Sequence, residues 1–141
     1  MMKSKVISGF PGVGKSTLFN TGLNCSDSDS SKFDKSLFPG NYISHIQKLL
    51  NSGELDFVFV SSHEIVRDAL ISAEIPFTLV YPCLEAKADF IERYKSRGSP
   101  EGFINLLDNN FESWVRECQA LNHPLVTKIE LAPGQFLSDV I

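Results

Sequence analysis

The densest chemistry in this 141-residue chain lies near its start, in Gly9-Phe10-Pro11-Gly12-Val13-Gly14-Lys15-Ser16 followed by Thr17. The spacing satisfies G-x-x-x-x-G-K-[ST] in full, and each residue type has a reason to be there. Glycines let backbone N–H groups converge on an anion with no Cβ in the way. A helix opening at Lys15 would aim its unpaired N–H groups, and the positive end of its dipole, at the same point. Lys15 adds a full charge towards the β- and γ-phosphates, and Ser16 offers a hydroxyl to Mg²⁺. The segment is therefore expected to hold ATP or another nucleoside triphosphate with its Mg²⁺. The competing reading is a glycine-rich turn with a solvated lysine, which the strand before the motif and the helix after it argue against.

Such a loop needs a rigid frame, and the apolar pattern supplies one. Apolar residues make up 43% of the chain, with 11 Phe, which is enough for a single core and one domain over 1–141. Strands are expected at about 5–8, Leu23–Ser26, Phe57–Val60, Phe77–Tyr81 (stopped by Pro82) and Leu125–Glu130. Helices are expected over Lys15–Thr21, 41–51, 64–73, 84–95 and 101–121, with a closing turn in Phe136–Ile141. Alternation of this kind indicates an α/β domain with a largely parallel sheet of about five strands and right-handed crossovers. The longest apolar runs are strand-sized, so no membrane span is expected, and the first residues do not read as a secretory leader. Net charge is −4, which weighs against a protein built to coat nucleic acid. Cys25, Cys83 and Cys118 show no metal-ligand spacing, and reduced thiols in a cytoplasmic protein are the plain reading.

Five further groups of residues could work beside the glycine loop. Asp27-Ser28-Asp29 follows the second strand, and residues i and i+2 at a strand end can address two sides of one cleft. Phosphoryl transfer needs a cation beside the phosphates and a carboxylate near the attacking oxygen. Arg93 and Arg97 lie in Glu92-Arg93-Tyr94-Lys95-Ser96-Arg97-Gly98-Ser99-Pro100, four apart, on one face if the helix reaches that far. His63 stands at the tip of the third strand and Arg67 one turn into the helix after it. Ala132-Pro133-Gly134 follows the last strand. Phe33, Phe38 and Tyr42, with Lys32 and Lys35, could offer aromatic faces and cations to an acceptor. No N-K-x-D stretch for reading guanine is present, and the third strand ends Ser61-Ser62-His63 where motor ATPases carry Asp-Glu.

Taken in order along the chain, these landmarks resemble the small P-loop kinases: nucleoside monophosphate kinases, shikimate-kinase-like enzymes and the kinase domain of bacteriophage polynucleotide kinase. The resemblance implies a three-layer P-loop NTPase fold, with helices on both faces of the sheet and a short lid at about 93–102. It implies Asp27 near the magnesium shell with Ser16, Asp29 at the acceptor as base or orienting group, and Arg93 and Arg97 closing over the transferring phosphoryl. It places Arg67 on the acceptor's phosphate, His63 within reach of substrate and Pro133 in the adenine-contacting loop. The chain lacks the D-G-F-P-R stretch of adenylate kinase and the glycine triplet of shikimate kinase. The expected activity is transfer of the γ-phosphoryl of ATP to a small molecule, first a (deoxy)nucleoside monophosphate. A polynucleotide 5′-kinase and a nucleotide-binding regulatory protein with little turnover are the alternatives. The compact size and the phage resemblance also fit a viral origin, with action in a host cytoplasm.

Overall fold

Runs of Val, Ile, Leu and Phe without an internal charge form strands that are covered on both sides. Three of them make the middle of the sheet: β1 (Lys5–Gly9), β3 (Phe57–Ser61) and β4 (Phe77–Pro82). The computed structural model describes residues 5–14, 24–27 and 36–140. Lys15, Ser16, Thr17 and Asp29, with the helix expected over Lys15–Thr21, lie outside the described residues, and Asp27 is described by its backbone alone.

The sheet has five strands, all parallel, in the order β2-β3-β1-β4-β5, with β2 (Cys25–Asp27) and β5 (Val126–Leu131) at its edges. β1 pairs with β3 from Lys5↔Phe57 to Gly9↔Ser61, so the glycine loop leaves the sheet level with the Ser61-Ser62-His63 tip. The chain leaves β1 towards β2 on one side and leaves β4 towards β5 on the other. Connections that diverge in this way open a crevice at the carboxyl ends of the two strands, where ligands of open α/β sheets bind. Phe10 continues the ladder there, its N–H donating to the Val80 carbonyl at 2.9 Å.

Four α-helices fall among the described residues: α1 (Gly40–Ser52), α2 (Glu64–Ser72), α3 (Lys87–Ser96) and α4 (Glu101–Ala120). Their apolar faces supply Ile46, Leu70, Phe90 and Phe111 to the same core as Val58, Val60 and Leu79 from the strands. No helix among the described residues is long and apolar enough to cross a membrane.

Near Pro82 two boundaries differ from the sequence expectation. β4 runs on through Pro82, which sits opposite Leu131; the next N–H, on Cys83, restores the ladder by donating to the Leu131 carbonyl at 2.9 Å. The helix expected from Leu84 begins as a 3₁₀ turn (Leu84–Ala86), because Cys83 before it is extended. The helix ends at Ser96, one residue past the expected Lys95, with Arg97 as its C-cap: the Ser99 N–H reaches the Tyr94 carbonyl and the Gly98 N–H that of Lys95, both at 3.0 Å. This pair of bonds closes the helix and turns the chain into α4.

Phe111 lies at the centre of the aromatic part of the core, its ring 5.5 Å from Phe10 and 6.0 Å from Phe90. Phe111→Ala is expected to lower stability by about 3–5 kcal/mol in urea unfolding. Leu106→Ala, at a half-exposed position of the same helix, should stay within about 0.5 kcal/mol of the parent. Equal effects would contradict this placement of α4.

Candidate functional site

Backbone carbonyls decide what the glycine loop can hold. An anion-binding concavity needs N–H groups facing inward, so the alternating C=O groups must face elsewhere and find donors there. In this loop four successive carbonyls do so. The Phe10 carbonyl accepts the Val13 N–H at 3.2 Å and the Pro11 carbonyl the Tyr94 hydroxyl at 2.6 Å. The Gly12 carbonyl accepts from Arg93 Nη1 at 2.9 Å, and the Val13 carbonyl from the Leu137 N–H at 2.7 Å. Among the described residues no acceptor takes the N–H of Gly12 or of Gly14. Both glycines have left-handed φ, +91° and +107°, and a Cβ on Gly12 would come within 2.7 Å of Tyr94 Cε1. Side chains are excluded by conformation and, at Gly12, by space.

Helix α3 holds this shape from behind. The Arg93 side chain is 10% exposed, lying between the Phe90 ring (4.2 Å from the guanidinium carbon to the ring centroid) and the Phe136 ring (3.8 Å). Besides Gly12, its fork reaches Asp89 Oδ2 at 2.8 Å and the Gln135 carbonyl at 2.6 Å, both through Nη2. Asp89 Oδ2 also accepts the Gly134 N–H at 3.2 Å. One ion pair thus ties the glycine loop to the segment after β5. Its Nε is a buried side-chain nitrogen without a partner, so the fork is fixed by its two outer nitrogens. Burial pushes the Tyr94 phenol well above its ordinary pKa against the pull of Arg97 and Arg93, and the hydroxyl stays a donor to Pro11.

Arg93 and Arg97, expected to act together, are separated by this arrangement. Arg93 sits beneath the loop, while Arg97 is exposed past the helix end, its Nε 3.3 Å from the Ser99 hydroxyl. Pro133 is exposed in the turn after β5. Tyr42, considered as an acceptor-facing ring, is fully buried in the core against Phe38.

Beside the loop lies a cavity of about 180 Å³, with Phe10 and Pro11 on one side and Ser62, His63 and Glu64 on another. Trp114, Glu117 and Cys118 of α4 close it, and Arg67 lines it. Arg67 is 5% exposed and its Nε donates to the Ser62 carbonyl at 2.9 Å. Among the described residues nothing accepts from its two Nη groups, and neither Glu64 nor Glu117 reaches ion-pair distance. The first turn of α2 at the same place has no side-chain cap. A buried fork beside an uncapped helix start favours an anion. Burial holds the Cys118 thiol up at about 11 despite the pull of Arg67, so it lines the wall as a neutral thiol.

Sequence reasoning singled out Arg93, Arg67 and His63 but missed Asp89, Tyr94, Phe136 and Trp114. The Asp89–Arg93 spacing of four on a helix was a readable signal; the contacts of the other three cross between elements distant in sequence. No protein-family model matches the chain, and no curated protein matches it in sequence.

A lysine at position 93 could not satisfy Gly12, Gln135 and Asp89 together. Arg93→Lys is expected to cost roughly 2–3 kcal/mol in denaturant unfolding. A variant as stable as the parent would show that the loop does not depend on this fork.

Proposed function

We propose that the chain is a nucleoside-triphosphate-dependent phosphotransferase of the P-loop kinase type. The observation that carries this reading is the loop itself: four carbonyls engaged by donors, three of them from outside the loop, and two glycine amides that no acceptor takes among the described residues, immediately before Lys15 and Ser16. The geometry fits a polyphosphate tail, which presents oxygens on every side and needs donors that do not have to reorganise. The crevice between the ends of β1 and β4 supports the same position.

In this reading Gly9, Pro11, Gly12, Val13 and Gly14 cradle the phosphates, Lys15 and Arg97 face the charge that develops on the γ-phosphoryl group, and Thr17 closes the cradle. Arg93 acts through the loop, by keeping the Gly12 carbonyl turned away. Ser16 and Asp27 would hold Mg²⁺, which when bound draws charge from the bridging oxygens. The Arg67 cavity takes the acceptor's own anionic group, with His63 at its mouth. Asp29 orients the acceptor oxygen that attacks the γ-phosphorus; a new O–P bond forms and the bridging bond to the β-phosphate breaks, releasing the nucleoside diphosphate. A cavity with one buried guanidinium suits a compact phosphorylated acceptor, a (deoxy)nucleoside monophosphate before any other.

A coupled assay of nucleoside diphosphate release, run over nucleoside monophosphates, a 5′-hydroxyl oligonucleotide, sugars and shikimate, tests the assignment. Monophosphate-stimulated release with a shallow salt response is the expected result, whereas oligonucleotide-stimulated release that falls steeply with salt would identify a polynucleotide 5′-kinase. ATP binding with no acceptor-stimulated turnover anywhere in the panel would leave a nucleotide-binding protein without catalysis. Lys15→Ala should abolish turnover with the unfolding midpoint unchanged, and retained activity would remove the donor site. Asp29→Asn should lower kcat about 10²-fold or more with little change in ATP affinity. Collapse of ATP affinity instead would move Asp29 to the metal.

A further inference from the structure

The ring of Phe136 covers the Arg93 guanidinium with one face only. It is 42% exposed, whereas Phe10, Phe90, Phe111 and Tyr94 around it are 0–1% exposed. Its backbone is nonetheless held on both sides: the Phe136 N–H donates to Asp139 Oδ2 at 2.7 Å, and the following N–H, on Leu137, to the Val13 carbonyl at 2.7 Å. One face of the ring lies on the Arg93 guanidinium, 3.8 Å from centroid to guanidinium carbon. A Cβ on Gly14 would lie 3.5 Å from Phe136 Cδ1, so the ring borders the glycine loop at Gly14.

The neighbouring turn narrows what this surface can read. The Ala132 N–H is taken by Gln135 Oε1 at 2.8 Å, the Gln135 N–H by the Ala132 carbonyl at 3.1 Å, and the Gly134 N–H by Asp89 at 3.2 Å. None of these amides remains to meet an acceptor on the edge of a base. Beside them stands an aromatic face whose backbone is held on both sides. A cation behind it withdraws charge from the ring and makes the outer face a better partner for an electron-rich ring.

We propose that Phe136 is the platform on which the purine base of the donor triphosphate stacks, so that the site selects a purine ring by its face and separates adenine from guanine weakly. The proposal rests on the reading of the glycine loop as the triphosphate site. Stacking of a base on a fixed aromatic ring is sequence-tolerant because every base presents a π-face.

Calorimetric affinities for ATP, GTP and inorganic triphosphate, measured on the parent, Phe136→Leu and Phe136→Tyr, test it. The parent should bind ATP and GTP within about threefold of each other and both about tenfold or more tighter than inorganic triphosphate. Phe136→Leu should bring both nucleotides down to the level of inorganic triphosphate without changing the latter, and Phe136→Tyr should keep the parent values. Unchanged ATP affinity in Phe136→Leu, equal losses for all three ligands, or a tenfold preference between ATP and GTP would each overturn the platform while leaving the loop reading intact. Absence of inorganic triphosphate and nucleotide binding by the parent would overturn the loop reading itself.

Discussion

Everything at the carboxyl end of the sheet depends on where four carbonyl oxygens point. A loop whose amides are to meet an anion must place its carbonyls against donors; the Phe10 carbonyl finds the Val13 N–H within the loop, and the other three find donors outside it. Tyr94 and Arg93 on α3 take the Pro11 and Gly12 carbonyls, and the Leu137 N–H takes that of Val13. Two segments distant in sequence thus fix one short stretch of backbone. Arg93 is the point where they meet, since it also holds Gln135 and, through Asp89, Gly134. An arginine can do this because its planar fork bonds several acceptors at once while its faces stack on rings, here Phe90 and Phe136.

The frame beneath the loop divides its labour by burial. β1 and β3 carry fully enclosed side chains and set the level of the glycine loop against the Ser61-Ser62-His63 tip. The helices then place polar groups on the rim of that level: α3 provides the brace, while α2 and α4 enclose the cavity that Arg67 lines. The two arginines are buried for different reasons. Arg93 has partners for both Nη groups, so its charge is compensated within the fold; Arg67 has, among the described residues, one backbone contact, and it lines a cavity. A buried guanidinium whose outer nitrogens meet no acceptor among the described residues is costly unless something anionic visits it, and the proposed acceptor site rests on that cost.

Much of the frame was legible in the sequence because it depends on periodicity. Phe57–Val60 reads as an enclosed strand and Ile104, Leu107, Phe111, Val115 and Cys118 as one helical stripe, and the sheet is parallel and five-stranded as that alternation requires. The glycine motif announced itself through residue type and spacing, while the placements of Lys15, Ser16, Thr17 and Asp29 lie outside the described residues. What the pattern could not reveal are contacts set by tertiary geometry. Arg93 and Arg97 look equivalent at a spacing of four, yet α3 ends at Ser96 and leaves one arginine beneath the loop and the other in solvent. Trp114 fits a core stripe on spacing alone; only the approach of α4 to the tip of β3 turns it into a cavity wall. The role of Tyr94 depends on an oxygen 83 positions earlier in the chain, a separation no local pattern encodes.

In the proposed function the amides of Gly12 and Gly14 face an anion. The most direct measurement is the response of their ¹H–¹⁵N resonances as inorganic triphosphate is added to the labelled protein. The account predicts saturable downfield amide-proton shifts at Gly12 and Gly14 larger than at any residue of β5 or the outer face of α4. Resonances at these two glycines that stay in place at ligand excess, while the protein remains folded, would contradict it.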